Sequence, residues 1–203
     1  MSVAPALPMP QILAYRPPHA RSEATARLGM SLFLGSWAMM FSALFFAYGM
    51  VRSRAAVWPP AGSVPLPFKL GAFNTAIIAV SSVCFHLALV QARRGRLAGV
   101  APAIGASLIA GLSFLDLQVR SWMGIAAAGM KPTDGPFASV FYGLTWLHAV
   151  HVAVGLVAMS WLLVQAMRGR YLPARHLPLK LWSMYWHFVG VVWLVLFVTV
   201  YAL

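Results

Sequence analysis

Acidic side chains are almost missing from this chain: Glu23, Asp116 and Asp134 are the only ones in 203 residues, and charged residues of both signs make up 9%. That scarcity removes several functions at once. Paired carboxylates for acid–base catalysis, carboxylate-rich metal centres in helix bundles and buried acidic proton carriers all need more acids than these. Cysteine is equally scarce. Cys84 stands alone inside an apolar run, so it can form no intrachain disulfide and reports nothing about an oxidising compartment. There is no glycine-rich phosphate loop, nucleophile elbow or paired-cysteine metal motif. The N-terminal stretch also lacks the basic start, apolar middle and small-residue cleavage site of a secretory signal.

What is present is hydrophobic, at 61% of residues, a mix foreign to ordinary soluble domains. The last apolar run holds Tyr185-Trp186-His187-Phe188-Val189 and continues to Leu203 without a charge. Crossing the hydrocarbon layer of a bilayer takes about 20 apolar residues of helix. Five runs satisfy that length, at 28–51, 70–92, 97–119, 137–167 and 181–203. They must be helical, because a lone strand leaves its backbone groups unpaired in lipid. They are too long and too weakly alternating for a transmembrane barrel. The expected fold is therefore all-α, a polytopic bundle of five transmembrane helices in one domain, residues 28–203. Residues 1–27, rich in proline and alanine, are expected to form a flexible N-terminal arm on the membrane surface.

A formal net charge of +12 raises the question of nucleic acid. The basic residues answer it by sitting in short clusters between apolar runs, where they meet lipid headgroups and set orientation. No nucleic-acid partner is expected. The arm, the second-to-third connection and the fourth-to-fifth connection hold ten Lys and Arg, from Arg16 to Lys180. The opposite side holds five: Arg52, Arg54, Lys69, Arg120 and Lys131. The richer side is expected in the cytoplasm, with the N-terminus inside and the C-terminus outside.

Polar residues inside apolar runs are costly, and each needs an account. On the fourth run, Thr145, His148, His151 and Gly155 fall within about a third of the helix circumference. On the second, Thr75, Ala79, Ser82 and His86 do the same, with Asn74 at the entry. The fifth contributes Trp186 and His187. Small and hydroxylated residues let helices approach closely and bond across. These stripes are either packing seams or the lining of a ligand or lipid site. His148 and His151 could share one ligand, but no carboxylate stands nearby to complete a metal centre. Haem needs only two histidines from facing helices, and His86, His148, His151 and His187 keep a stand-alone haem-b cytochrome as an alternative. A small transporter is disfavoured by the dearth of intramembrane charge.

The words Phe141-Tyr142-Gly143-Leu144-Thr145, His148-Ala149-Val150-His151-Val152 with Gly155, and Tyr185-Trp186-His187-Phe188-Val189 with Val192-Trp193 stand in a fixed order. Leu28-Gly29-Met30-Ser31-Leu32-Phe33-Leu34 with Ser36, Asn74-Thr75 with Ser81-Ser82, and Phe114-Leu115 with Gln118 and Trp122 precede them. Together, from Leu28 to the end, they resemble subunit III of haem-copper oxidases, the cytochrome c and quinol oxidases, in a short five-helix form. The resemblance implies a subunit with no active site, haem or copper of its own, those groups residing in partner subunits. It implies packing against subunit I and other oxidase subunits, phospholipid held between helices, and residence in a bacterial inner membrane. The whole complex would reduce oxygen to water with coupled proton translocation in aerobic respiration. Asn74, Thr75, Ser82, His86, Thr145, His148, His151, Trp186 and His187 are the residues expected to form a structural polar network at subunit or lipid contacts. Nitric-oxide-reductase-associated homologues are an alternative within the family. The chain also departs from the pattern. Trp37, Ser121 and Gly190 stand where the family usually has acids, and Trp146 where it usually has glycine. A proton-antenna role resting on those acids does not carry over.

Overall fold

The computed structural model describes residues 18–60, 63–171 and 176–202. Each of the five apolar runs forms a helix. We label them α1 (Pro18–Ser53), α2 (Phe68–Arg93), α3 (Val100–Ala127), α4 (Pro136–Met167) and α5 (Leu177–Leu196). A short 3₁₀ turn, Leu97–Gly99, leads into α3, and α5 continues as a π-helical segment, Phe197–Ala202. No strand occurs among the described residues. All five helices are long and apolar enough to cross a membrane, with α3 and α5 taken together with those flanking turns. The chain is a multi-pass membrane protein.

α2 and α4 end within a residue of their apolar runs, at Arg93 and Met167, whereas α1 and α3 extend beyond theirs. α1 starts at Pro18, so residues 18–27 are helical and not part of an arm. Inside that first stretch Arg27 donates to Glu23 at 2.8 Å, a one-turn ion pair that suits a helix leaving the lipid. α3 runs to Ala127, eight residues past the expected limit at 119, and carries the matching pair Arg120–Asp116 at 2.7 Å. The remainder of the expected arm, 1–17, lies outside the described residues.

One device closes α2, α3 and α4. Gly95, Gly129 and Gly169 all have positive φ, from 65° to 102°. In each case the glycine N–H bonds three residues back and the next N–H bonds five back: Arg96 to Gln91, Met130 to Ile125 and Arg170 to Gln165, at 3.0–3.2 Å. This is the Schellman stop, and glycine occupies its left-handed position because a Cβ there would be strained. Proline sits in the first turn of α4 and α5, where its missing N–H costs no bond.

α2 and α3 pack along most of their length, and α4 and α5 close a four-helix ring with them. α1 stands outside that ring, against α5 and α4. Its buried apolar anchors are Phe41 and Tyr48. Tyr48 in turn meets Trp58 of the following loop at 5.5 Å, and Trp58 meets Phe137 at 5.1 Å, which ties α1 to the start of α4. Leu28, Leu32, Met39 and Phe46 of α1 remain exposed. In water such a face would be a liability; in a bilayer it faces lipid or another subunit.

Candidate functional site

The four-helix ring is wedged open by Trp186. This α5 indole is buried and reaches between two glycines. A Cβ at Gly155 of α4 would lie 2.6 and 2.7 Å from its ring, and one at Gly111 of α3 would lie 3.1 and 3.2 Å from it. Both helices lack a side chain where the ring passes. On α2, the hydroxyl of Ser81 accepts the indole N–H at 3.1 Å. Ser81 is itself half of a reciprocal pair. It donates to the Ser107 carbonyl at 2.7 Å, while Ser107 donates to the Ser81 carbonyl at 2.8 Å. Four helices thus meet at one residue. Interhelical hydrogen bonds in membranes average about 0.6 kcal/mol, so the wedge contributes more through its fit than through any single bond.

Two further indoles repeat the arrangement. Trp193 of α5 donates to Thr75 of α2 at 3.0 Å, and Trp122 of α3 donates to Thr145 of α4 at 3.1 Å. Both threonines also donate one turn back along their own helix, to Gly71 at 2.9 Å and to Phe141 at 2.8 Å. That back-bond fixes the hydroxyl so that a lone pair faces the indole. Nearby, the Asn74 amide of α2 donates to the Gln118 carbonyl oxygen of α3 at 3.3 Å, both side chains being buried.

The two histidines of α4 lie in an aromatic cage. His151 holds its Nδ1 proton against the Leu147 carbonyl at 2.6 Å, because a carbonyl can only accept. Trp37 of α1 stands edge-on to its ring with centroids 3.6 Å apart, and Phe41 lies at 5.1 Å. His148 is 1% exposed and is surrounded by Phe41, Phe114 and Trp193 at 5.4–6.4 Å. It packs as an aromatic plate joining α1, α3 and α5 to α4. Tyr185 of α5 donates to the His151 carbonyl at 3.0 Å. Among the described residues, no three of His, Cys, Asp and Glu gather as metal ligands.

The structure divides the nine expected residues into two groups. Asn74, Thr75, Thr145, His148, His151 and Trp186 meet in the interior. His187 faces His86 of α2 on the outside of the ring, with ring centroids 5.8 Å apart. Ser82 lies on that same outer seam, 3.3 Å from where a Cβ of Gly190 would stand. Ser107 and Gly111 carry as much of the interior as any expected residue, and with Gln118 and Ser121 they form a buried stripe on one face of α3 whose spacing could have singled them out. Their role comes from what faces them.

Replacing Ser81 by valine is expected to lower stability by about 1–3 kcal/mol, because it orphans the Trp186 N–H and one Ser107 bond together. Unfolding in mixed detergent–dodecyl sulfate micelles measures this. An unchanged midpoint would show that the serine pair holds nothing.

Fold and site define a polytopic membrane protein whose polar interior joins its helices. The family model for cytochrome c oxidase subunit III matches residues 16–203. Cytochrome c oxidase subunit 3 of Synechocystis sp. is 35% identical over 176 residues, covering 86% of this chain and 74% of the relative. A probable cytochrome c oxidase subunit 3 of Nocardia farcinica is 31% identical, covering 86% of each chain. Cytochrome bo(3) ubiquinol oxidase subunit 3 of Pseudomonas putida is 28% identical, covering 87% of this chain and 84% of the relative. The chain belongs to the cytochrome c oxidase subunit III family.

Proposed function

We propose that this protein is the redox-inactive third subunit of a bacterial haem-copper terminal oxidase. It docks on the haem-bearing subunit I, stabilises it and holds phospholipid at their shared boundary. Haem and copper belong to the partner subunits, and the complex couples electron transfer to oxygen with proton translocation. The observation that carries this reading is the interior itself. It is closed around Trp186, Trp193 and Trp122 by bonds between helices, and no acid stands among them. Such an interior makes a rigid scaffold. The exposed apolar face of α1 is a surface that a neighbouring helix bundle or lipid would cover. Trp37, where the family resemblance places an acid, is packed on His151, which is consistent with a scaffold and not with a proton antenna.

Deleting the subunit is the test. The haem absorbance of the terminal oxidase in membranes is expected to fall several-fold, and its inactivation during turnover is expected to accelerate. Membranes with unchanged oxidase content and lifetime would overturn the reading.

The same proposal places the N-terminus in the cytoplasm, following the ten-to-five basic asymmetry. In a Cys84→Ser background, a cysteine introduced at the exposed Ala98 is expected to be protected from an impermeant thiol reagent in intact spheroplasts. One introduced at the exposed Ala128 is expected to react. The reverse pattern would invert the topology.

A further inference from the structure

His86 precedes Arg93 by two helical turns on α2, and His187 follows Lys180 by two turns on α5. The C-terminus of α2 and the N-terminus of α5 share one end of the bundle, so the two pairs stack as layers about 10 Å apart. In the outer layer, Lys180 lies within electrostatic range of Arg93 and of Arg27 at the start of α1. Glu23 also acts on it, but Glu23 is bonded to Arg27 at 2.8 Å, and the layer as a whole remains positive. In the inner layer the imidazoles of His86 and His187 face each other at 5.8 Å. His86 is exposed and His187 half-buried, and neither ring is hydrogen-bonded to protein among the described residues. One turn deeper Ser82 of α2 lies beside Gly190 of α5, and around and beyond them come exposed apolar side chains, Val83 on α2 and Val191 and Leu194 on α5.

That order of cations, then hydrogen-bond donors, then bare hydrocarbon is the order a glycerophospholipid presents in reverse sign. We propose that the α2–α5 seam binds one anionic phospholipid. Its phosphate lies between Arg93 and Lys180 with help from Arg27. Its ester carbonyls accept from the ring N–H groups of His86 and His187, and its chains run along Val83, Val191 and Leu194. Imidazoles left bare at this depth would be costly, and an ester partner removes that cost. The net positive mouth selects a headgroup of net negative charge; a choline would set its ammonium against Lys180 and Arg93. A metal ion bridging the two imidazoles would sit beneath the same cations with no carboxylate to offset them. One turn below the histidines, the absent side chain of Gly190 lets Ser82 pack close against α5, which closes the floor beneath the headgroup.

This inference rests on the lipid-holding part of the function proposed above and gives it a site and a chemical class. The test uses the full tagged chain with whatever subunits accompany it. The preparation is incorporated into nanodiscs of phosphatidylcholine and phosphatidylglycerol in equal parts, then stripped and weighed by native mass spectrometry. Wild-type protein is expected to retain phosphatidylglycerol over phosphatidylcholine. R93Q/K180Q is expected to lower that preference about 25-fold, since each basic residue near a membrane surface is worth roughly fivefold. H86A/H187A is expected to reduce retention of the lipid altogether. The control R168Q/R170Q removes the same charge at the same end, away from the seam, and is expected to leave the preference intact. Equal loss in the control would overturn the proposal, as would equal retention of both lipids. Added zinc retained by wild type and lost in H86A/H187A, with lipid unaffected, would also overturn it and reassign the seam to an ion. Co-purifying oxidase subunits are read from the same spectra. Selectivity lost with partners present sinks only the lipid site; selectivity kept with partners absent sinks only the assembly role.

Discussion

Gly155→Val is expected to keep the helix bundle from closing and to abolish accumulation of the subunit in membranes. Even a single added carbon at this position would stand 2.6 Å from the Trp186 ring and 3.3 Å from Tyr185. The ring cannot move aside. Its far edge rests over Gly111, where a Cβ would also collide with Leu156 at 2.7 Å, and its N–H is held by Ser81. Overpacking a well-filled core typically costs about 1–3 kcal/mol when side chains can shift. Here α4 and α5 must separate, so the loss reaches the top of that range or beyond. Gly155→Ala is expected to fall between wild type and valine. Quantitative immunoblotting of membranes, with unfolding midpoints in mixed micelles for whatever accumulates, measures the series. A valine variant that accumulates and melts like wild type would show that Trp186 is not wedged.

Removing the wedge is the converse experiment, and it is expected to be nearly as damaging. Trp186→Ala deletes a side chain that is 1% exposed, for which large-to-small replacement costs about 3–5 kcal/mol. The cavity cannot be refilled locally, because two of its walls are glycines with no side chain to swing inward. Trp186→Phe removes the N–H bond to Ser81 and also the outer indole carbons that fill the slot between the two glycines, so it is expected to fall between wild type and alanine. Ser81→Val takes away the bond and leaves the ring in place, and comparing it with Trp186→Ala separates hydrogen bonding from fit. If Ser81→Val were as harmful as Trp186→Ala, the bond and not the packing would be the dominant contact.

The five spans were legible because hydropathy over some 20 residues is a bulk property that lipid imposes. α2 and α4 also end within a residue of the expected 92 and 167; α3 overruns its limit because Gly129, and not the charged residues at 116 and 120, stops it, and polar helix such as 18–27 carries no hydropathy signal. The stripe of Thr145, His148, His151 and Gly155 could be read from its spacing, since residues three and four apart share a face. What that face would touch could not be read. His148 is lodged among rings from three other helices, and Gly155 proves to be half of a slot for Trp186. Neighbour relations explain the remainder. Ser107 and Gly111 share a face of α3 with Gln118 and Ser121, a spacing the sequence carries, but what they hold shows only when Ser81 and Trp186 are set against them. His187 reads with the fifth helix's aromatic word, yet it looks toward α2 because the ring of helices brings α5 and α2 side by side. The family resemblance identified which residues occur together; only the packing shows which of them hold the bundle and which line its outer seam.

Scaffolding without redox chemistry is the centre of this account, and affinity purification of the tagged chain from its own membranes tests it most directly. Mass spectrometry of the eluate, paired with its reduced-minus-oxidised visible spectrum, is predicted to show a haem-bearing oxidase subunit in equal amount. Haem bands should disappear when the chain is separated from that partner. A chain that elutes alone and retains a Soret band of its own would contradict the account.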